Sequence, residues 1–228
     1  MLRGMTRCAS ERETGLGLAW RMPETASIRI ETPRVVIRSL ELGDAPAMFE
    51  AVEASRSTLL PWMAWARDQH RDLAETTHFV TKQILALRSP AEFTMVTLGI
   101  FEREGGRFLG ATGVHDVRRD TASAETGYWV RTEARGRGIA TEATRHLLSW
   151  ALRPQGEGGL GLARVRIYCS ALNTASRRVI EKLGVRLEVE QRADYFVPDV
   201  GVTDRLGWGV LATEWDTRSH RPLRDEHA

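Results

Sequence analysis

The chain has 228 residues, and 32 lysines and arginines against 30 aspartates and glutamates leave a net charge near +2. Because positive and negative charges nearly cancel, the composition argues against a dedicated nucleic-acid-binding protein, and we expect no direct nucleic-acid partner. No stretch approaches 18 apolar residues and no His-Glu-x-x-His or Cys-x-x-Cys pattern occurs, so we predict neither a membrane span nor a bound metal.

The N-terminal residues, 1–26, are predicted to be a poorly ordered tail. They combine scattered arginines with Gly, Ser, Thr and Glu and contain no apolar core of a secretory signal. Regular patterns begin near residue 28, and we predict one domain over residues 27–216 with a C-terminal tail over residues 217–228.

Two helices are predicted after a first strand at residues 35–40. Asp44 is expected to cap the first helix, because its carboxylate can accept hydrogen bonds from the free N–H groups of the first turn. A capping-box pattern, Asp72-x-x-Glu75, predicts the start of the second helix. Between the two helices lies an unusually aromatic segment, residues 59–65.

The rest of the domain reads as strands interrupted by two further helices. One helix follows the glycines near residue 138, and the other is expected to be capped by Asn173 and ended by Gly184. The remaining strands are predicted at residues 94–101, 108–117, 124–130, 164–169, 186–195 and 203–212. We therefore predict an α/β (α+β) fold with a mixed, mostly antiparallel sheet of about seven strands, flanked by helices.

One stretch, residues 128–141, predicts a site for an anion. A strand ending in Tyr128-Trp129-Val130 leads through a turn with two glycines and two arginines into a helix. The free N–H groups and the positive end of the helix dipole meet at this turn. Because Gly136 and Gly138 have no side chains, a phosphate can approach the backbone closely.

Two other phosphate-binding motifs do not fit this turn. The Gly-Lys-Ser/Thr ending of a nucleotide P-loop is absent, and the dinucleotide pattern Gly-x-Gly-x-x-Gly fails at Thr141. The pattern Arg/Gln-x-x-Gly-x-Gly/Ala does fit, with Arg135, Gly138 and Ala140. In this respect the turn resembles the pyrophosphate loop of the GNAT superfamily of N-acetyltransferases.

The resemblance extends over residues 30–215. Within the superfamily, the sequence is similar to the branch that includes the ribosomal-protein N-terminal acetyltransferases (the Rim type). Its marks are Thr32-x-Arg34-x-Val36-x-Arg38, Leu60-Pro61-Trp62-Met63-x-Trp65, Glu125-x-Gly127-Tyr128-Trp129-Val130, Asn173-x-x-Ser176-x-x-x-Ile180-Glu181-Lys182-Leu183-Gly184, and Glu214-Trp215. Two departures are Val185, where the family usually has Phe, and an expanded loop at residues 156–161.

The resemblance implies that acetyl-coenzyme A lies along the strand at residues 128–130, with its pyrophosphate over the turn and its thioester where the fourth and fifth predicted strands splay apart. A backbone N–H near Trp129 or Val130 is expected to stabilise the oxyanion. The implied cofactor-binding residues are Tyr128, Trp129, Val130, Arg135, Gly136, Arg137, Gly138, Ile139, Ala140, Thr141, Asn173 and Ser176.

The same resemblance suggests catalytic residues. Glu125 is the first choice as general base, although a solvated strand residue or a partner of an arginine is an equal alternative. His115 and Asp116 are second choices. Ser176 is the implied acid that protonates the leaving sulfur, and its alternative role is to assist the cap of the last helix. The candidates for binding the acceptor are Trp62, Trp65, His115 and Tyr195.

We therefore predict an N-acetyltransferase that acts on a protein or peptide N-terminus. A small amine such as an amino acid, polyamine or aminoglycoside is the alternative acceptor, and a strongly acidic cleft would favour the polycations. A non-catalytic acyl-coenzyme A sensor is the alternative outside enzymes, and a homodimer is compatible with the pattern. The two cysteines, Cys8 and Cys169, lie far apart, as in proteins of a reducing compartment, so we expect a cytoplasmic protein.

Overall fold

A computed structural model describes residues 20–23, 27–89 and 93–222. Its main sheet has eight strands in the order β1-β2-β3-β4-β5-β6-β8-β7. The strands of this sheet are β1 (Arg29–Glu31), β2 (Val35–Ser39), β3 (Val96–Glu102), β4 (Phe108–Arg118), β5 (Ser123–Val130), β6 (Arg164–Ser170), β7 (Arg186–Val197) and β8 (Gly201–Leu211). The predicted mixed sheet is confirmed, and β1 is the strand that the sequence analysis did not include.

Five α-helices accompany the sheet within the described residues: α1 (Ala45–Leu59), α2 (Trp65–Asp68), α3 (Leu73–Leu87), α4 (Ile139–Leu152) and α5 (Thr174–Leu183). Two predicted ends are present as expected. The Asn173 side chain accepts a hydrogen bond from the Ser176 N–H at the start of α5, and Gly184 follows its end with φ +72°.

The predicted cap of α1 is wrong in detail. Asp44 stands at the N-cap, but its side chain makes no cap hydrogen bond to the helix. Its carboxylate instead accepts two hydrogen bonds from Arg38, both 2.8 Å, because the guanidinium offers a bidentate partner. At α3 half of the capping box forms, since the Asp72 carboxylate accepts from the Glu75 N–H while the Glu75 carboxylate accepts from the Arg71 N–H.

Two buried clusters cover opposite faces of the sheet. One joins the sheet to α1 and α3, and the other joins it to α4 and α5. On β5, Trp129 belongs to the first cluster, whereas its neighbours Tyr128 and Val130 pack against the second. Successive strand residues point to opposite faces, so β5 presents side chains to both layers.

The sheet opens between β5 and β6, its one parallel pair of neighbours. These strands pair only from Ser123 with Arg164 to Thr126 with Ile167. Beyond this point β6 continues to pair with β8 as far as Ser170, while no described strand pairs with residues 127–130 of β5 on that side. This is the splaying expected between the fourth and fifth predicted strands, which are β5 and β6 here.

The two ends of the chain contribute to the described structure. Within the predicted N-terminal tail, Trp20 and Met22 are buried in the core, and the Trp20 indole N–H donates to the Leu160 carbonyl at 2.9 Å. Residues 1–19, 24–26 and 223–228 lie outside the described residues. A small second sheet pairs β9 (Trp215–Asp216), at the end of the predicted domain, with β10 (Arg221–Pro222), inside the predicted C-terminal tail. None of the described helices is long and apolar enough to cross a membrane.

Candidate active site

The turn between β5 and α4 has the backbone geometry that its glycines predict. Gly136 and Gly138 have φ of +75° and +79°, in the left-handed region that other residues rarely adopt. The first hydrogen bond of α4 runs from the Glu142 N–H to the Gly138 carbonyl at 3.0 Å. The N–H groups of residues 139–141 precede this bond and therefore have no acceptor within the helix. With the helix dipole, they form a site suited to a phosphate.

A second feature of the turn was not predicted: a polar cluster holds it from behind. The Glu142 carboxylate accepts hydrogen bonds from the Thr32 hydroxyl at 2.6 Å and from Arg34, through its N–H at 2.8 Å and its Nε at 2.6 Å. Arg34 also donates from Nη1 to the Arg137 carbonyl at 2.7 Å. Burial raises the pKa of Glu142, but these hydrogen bonds outweigh it and keep that pKa below its usual value.

A cavity of about 330 Å³ lies in front of this turn. Arg137 is the one implied cofactor residue missing from its lining, and its guanidinium lies 3.6 Å from Glu102 instead. The other implied residues line the cavity together: Tyr128, Trp129, Val130, Arg135, Gly136, Gly138, Ile139, Ala140, Thr141, Asn173 and Ser176.

The sequence analysis missed three polar residues of this cavity. Thr58 comes from α1, and Arg178 and Lys182 come from one face of α5. The sequence signal that could have found Arg178 and Lys182 is their spacing of four residues. This spacing places both on the same side of the helix as Ala175. These two cations add to Arg135, so three basic side chains surround the cavity and favour a polyanionic ligand.

Ser176 lies at the wall of the cavity, in contact with Tyr128. The Tyr128 hydroxyl lies 3.0 Å from the Ser176 hydroxyl and donates to the Ser176 carbonyl at 3.2 Å. Burial raises the pKa of Tyr128 far above its ordinary value, so this phenol stays protonated at any physiological pH. Because the helix cap is supplied by Asn173, the Ser176 side chain is free of the capping role that was its alternative.

The open edge of β5 offers backbone groups to the cavity. The Arg131 N–H donates to Leu109 of β4 at 2.8 Å, and the Gly127 carbonyl accepts from the Thr112 side chain of the same strand at 2.9 Å. Backbone groups of alternate residues point to opposite edges. Trp129 therefore faces β4, whereas the N–H groups of Tyr128 and Val130 point into the opening. Of the two residues expected to supply an oxyanion donor, Val130 has the suitable orientation.

A second cavity, of about 370 Å³, adjoins the first. Met63, Tyr128 and Trp129 line both. The other residues that line the second cavity come from α1 to α3 and from β3 to β5: Met48, Trp65, Gln69, His70, Phe79, Met95, Val96, Thr97, Ala111, Thr112, Gly113, Val114, His115 and Gly127. One cavity thus lies on each side of the segment at residues 128–129.

The four residues expected to bind the acceptor divide between these places. Trp65 and His115 line the second cavity, whereas Trp62 lines the cofactor cavity. Tyr195 lines neither; its hydroxyl donates to the Trp62 carbonyl at 2.8 Å. Tyr195 thereby ties β7 to the aromatic segment at residues 59–65.

Glu125, the first choice as base, lies outside the lining of both cavities. Its carboxylate is within 3.7 Å of Arg166 and 3.9 Å of Arg205, and its side chain is 17 % exposed. Asp116 also pairs with Arg166, at 3.4 Å. The arginine-partner alternative therefore describes the geometry of Glu125, and its catalytic role stays a prediction. Among the described residues no group of three or more His, Cys, Asp or Glu side chains is arranged to hold a metal ion.

A mixed sheet that opens at a parallel pair, with a phosphate-binding turn at the opening, is the arrangement that the resemblance to the N-acetyltransferases implied. The family described as "Acetyltransferase (GNAT) domain" matches residues 34–186, more than half of the chain. The chain therefore belongs to the GNAT acetyltransferase family, and the resemblance seen in the sequence is confirmed.

The chain is similar to several named proteins. The chain is 28 % identical over 182 residues, 80 % of this chain and 93 % of the other, to "Putative ribosomal N-acetyltransferase YdaF" of Bacillus subtilis (strain 168). Two solved structures share the fold with a TM-score of 0.70. One is RimJ of Mycobacterium smegmatis in complex with CoA-disulfide, which is 22 % identical, with 88 % of this chain and 95 % of the other covered. The second is a RimL described as a ribosomal L7/L12 alpha-N-protein acetyltransferase in complex with coenzyme A. It is 19 % identical, with 81 % of this chain and 98 % of the other covered.

Proposed function

We propose that this chain transfers the acetyl group of acetyl-coenzyme A to the α-amine of a protein or peptide N-terminus. The observation that carries the proposal is the pair of cavities that meet at Tyr128 and Trp129, one lined by three basic side chains, the other by no Asp, Glu, Lys or Arg among the described residues. Such a pair separates a polyanionic donor from the acceptor and brings both to one strand. Two of the relatives, a putative ribosomal N-acetyltransferase and a ribosomal L7/L12 alpha-N-protein acetyltransferase, support the same reaction by their names.

The residues present fit acetyl-coenzyme A. The open N–H groups at residues 139–141, together with Arg135, Arg178 and Lys182, would hold the phosphates. The unpaired edge at residues 128–130 would bind the pantetheine arm as an added strand. Fixing both reactants in line can supply about 7–11 kcal/mol of the barrier, so this positioning is the main contribution of the protein.

Acetyl-coenzyme A supplies a thioester whose acetyl carbon bonds to the amine nitrogen as the carbon–sulfur bond breaks. The Val130 N–H would donate to the thioester oxygen as negative charge develops there. Ser176, backed by the Tyr128 hydroxyl, would pass a proton to the departing sulfur. Glu125 would take the proton that the amine loses, through water because it does not line the cavities.

In this proposal the acceptor is a protein or peptide N-terminus and not a small polycation. No aspartate or glutamate lines the second cavity among the described residues, so the acidic cleft that would favour an aminoglycoside or polyamine is absent there. A peptide α-amine has a pKa of about 7.7–8.0 against about 10.4 for lysine, and it therefore needs less help in losing its proton. We also propose that the enzyme acts in the cytoplasm, where such N-termini are made.

The test is turnover with defined amines. The full chain is incubated with acetyl-coenzyme A and, separately, with unblocked peptides, with N-terminally blocked peptides that contain one lysine, and with a panel of small amines; coenzyme A release and the modified atom are measured. We expect acetylation of unblocked peptides at the α-nitrogen. Turnover on small amines alone would overturn the acceptor, and binding of acetyl-coenzyme A without any turnover would leave the sensor.

A further inference from the structure

The second cavity has a composition that selects against charge. Among the described residues that line it, none is Asp, Glu, Lys or Arg. Methionine and bulky aromatic side chains form a large part of the lining, among them Met48, Met63, Trp65, Phe79 and Trp129. Methionine and aromatic side chains adapt to bulky apolar groups.

Two histidines line this cavity, and one of them is buried. His70 is 3 % exposed and has φ +55°. Its ring packs edge-on against Trp65 and Phe79, with centroids 5.6 and 4.9 Å away, and its Nδ1 lies 3.0 Å from the Thr76 hydroxyl. His115, the other, is exposed at the rim.

The buried position of His70 favours the neutral form of its side chain. Burial is the largest cause that lowers its pKa, the charge of Arg56 adds to it, and Glu75 opposes it. The Arg56 guanidinium donates to the His70 carbonyl at 2.5 Å, which holds this loop residue in its unusual backbone conformation. An uncharged, aromatic-lined space disfavours a charged group, because such a group would lose its hydration without gaining a partner.

The cavity begins beside the reacting strand. It shares Met63, Tyr128 and Trp129 with the cofactor cavity, and the rings of Trp65 and Trp129 lie 5.9 Å apart. An amine that attacks a thioester held at residues 128–130 from the side of the second cavity would therefore have its own substituent in this space. For a peptide, that substituent is the side chain of the first residue.

We propose that the second cavity is the specificity pocket for the acceptor and that it takes a bulky, uncharged apolar side chain, aliphatic or aromatic, on the carbon next to the amine. This rests on the proposed function and deepens it. A volume of about 370 Å³ exceeds what a glycine, alanine or serine side chain fills. Each added methylene in such a pocket changes kcat/KM by roughly 10- to 200-fold at most.

A peptide series that differs only in its first residue tests the pocket. With acetyl-coenzyme A saturating, kcat/KM is measured for peptides that start with Gly, Ser, Asp, Lys, Leu, Met and Phe. We expect Leu, Met and Phe to exceed Ser by at least about tenfold and Asp and Lys to be the poorest. Equal rates for Ser, Asp and Leu would overturn the pocket while leaving the acetyltransferase proposal intact.

A charge placed at the rim gives an independent reading. Met95 lines the cavity and is 41 % exposed, so Met95→Asp should fold. We expect this variant to lose about tenfold in kcat/KM on the Phe peptide and to improve on the Lys peptide. The matched control is Leu85→Asp, since Leu85 is 54 % exposed on α3 and lines neither cavity. An equal loss in the two variants would contradict the pocket.

Binding separates the failure of the pocket from the failure of the reaction. The acetylated product peptides are titrated calorimetrically into the protein saturated with coenzyme A. If no peptide turns over but the Phe product still binds more tightly than the Ser product and Met95→Asp abolishes that preference, the pocket stands and the transfer falls. Absence of both turnover and preferential binding would overturn the pocket and the acceptor together.

Discussion

The cofactor cavity and the second cavity meet at Tyr128 and Trp129, yet they are built by opposite means. The first centres on one continuous turn, residues 135–141, in which backbone N–H groups and a helix end provide the polar contacts. The second is assembled from side chains of α1, α2, α3, β3, β4 and β5. A backbone site imposes strict local requirements, because only glycine tolerates its φ and its close approach. A side-chain cavity imposes only shape and polarity.

This difference predicts how each cavity responds to mutation. A side chain added to the turn should abolish cofactor binding altogether. A side chain exchanged in the second cavity should redistribute rates among acceptors and leave cofactor affinity unchanged. The predictions below test the contrast, beginning with the largest effect.

Gly138→Glu should abolish binding of coenzyme A, with a loss in affinity of at least about 100-fold. The substitution forces a left-handed backbone position on a larger residue and puts a carboxylate among the phosphate-binding groups. Calorimetric titration measures the loss. Gly158→Glu is the control, because Gly158 has the same φ of +79° but lines neither cavity; unchanged affinity in Gly138→Glu would remove the turn from the site.

Ser176→Ala should lower kcat roughly 10²-fold, the lower end for a general acid, with little change in the affinity for acetyl-coenzyme A. The cap of α5 is retained, since it uses the Ser176 N–H and the Asn173 side chain. Steady-state kinetics and a binding titration separate the two effects. Thr174→Ala, on the exposed side of the same first turn, serves for comparison; a parallel drop in affinity would mean that Ser176 binds the cofactor.

Arg34→Gln should weaken coenzyme A binding about tenfold, because it removes hydrogen bonds to the Glu142 carboxylate and the Arg137 carbonyl that hold the turn. The rate at saturating cofactor should stay the same. Arg29→Gln removes a comparable exposed pair with Glu31, away from the turn. Should both variants keep wild-type affinity, the cluster behind the turn plays no part in binding.

Glu125→Gln should lower kcat/KM on a peptide N-terminus by less than about tenfold, and higher pH should partly restore it, because the α-amine is already partly neutral. With a lysine acceptor at neutral pH the loss should be larger. Profiles of rate against pH for both acceptors measure this, and Glu188→Gln, another strand carboxylate paired with an arginine, is the control. Unaltered profiles on every acceptor would move the search to His115 or Asp116.

The smallest effect concerns the stability of the second cavity in acid. Because the pKa of His70 is lowered in the folded state, the unfolded chain binds its proton more readily. The contribution of His70 to the free energy of unfolding is therefore intact above about pH 6.5. It is lost as the pH falls toward the pKa of His70 in the folded state. The midpoint temperature of thermal unfolding should therefore fall less steeply between pH 7 and pH 5 in His70→Leu than in wild type. His146 and His220, whose pKa values are also lowered, contribute equally to both proteins; parallel curves would contradict the assignment.

The sequence predicted the turn and most of the sheet because the information there is local. The glycines at 136 and 138, the Asn173 cap and the Gly184 stop each act within a few residues, and all four adopt the expected geometry. Family resemblance then added the cofactor residues, and apart from Arg137 they line one cavity.

The contacts that sequence reasoning missed are those between segments far apart in the chain. Glu142 meets Arg34 across 108 positions. Glu125 is held by arginines from β6 and β8 rather than facing the cofactor. Such pairs depend on which strands become neighbours in the sheet, and strand pairing leaves no pattern within a single segment.

The sequence by itself determined the phosphate-binding turn, since its backbone requirements are short-range, and the resemblance to a known family added the opening of the sheet. Only the tertiary structure decided which residues surround the acceptor. His70 lies on a loop, Phe79 on a helix, and Met95 directly before a strand. Each of the three has the local pattern of an ordinary structural residue. Packing of α1 to α3 on β3 to β5 brings them together, because a side-chain cavity exists only where separate elements meet.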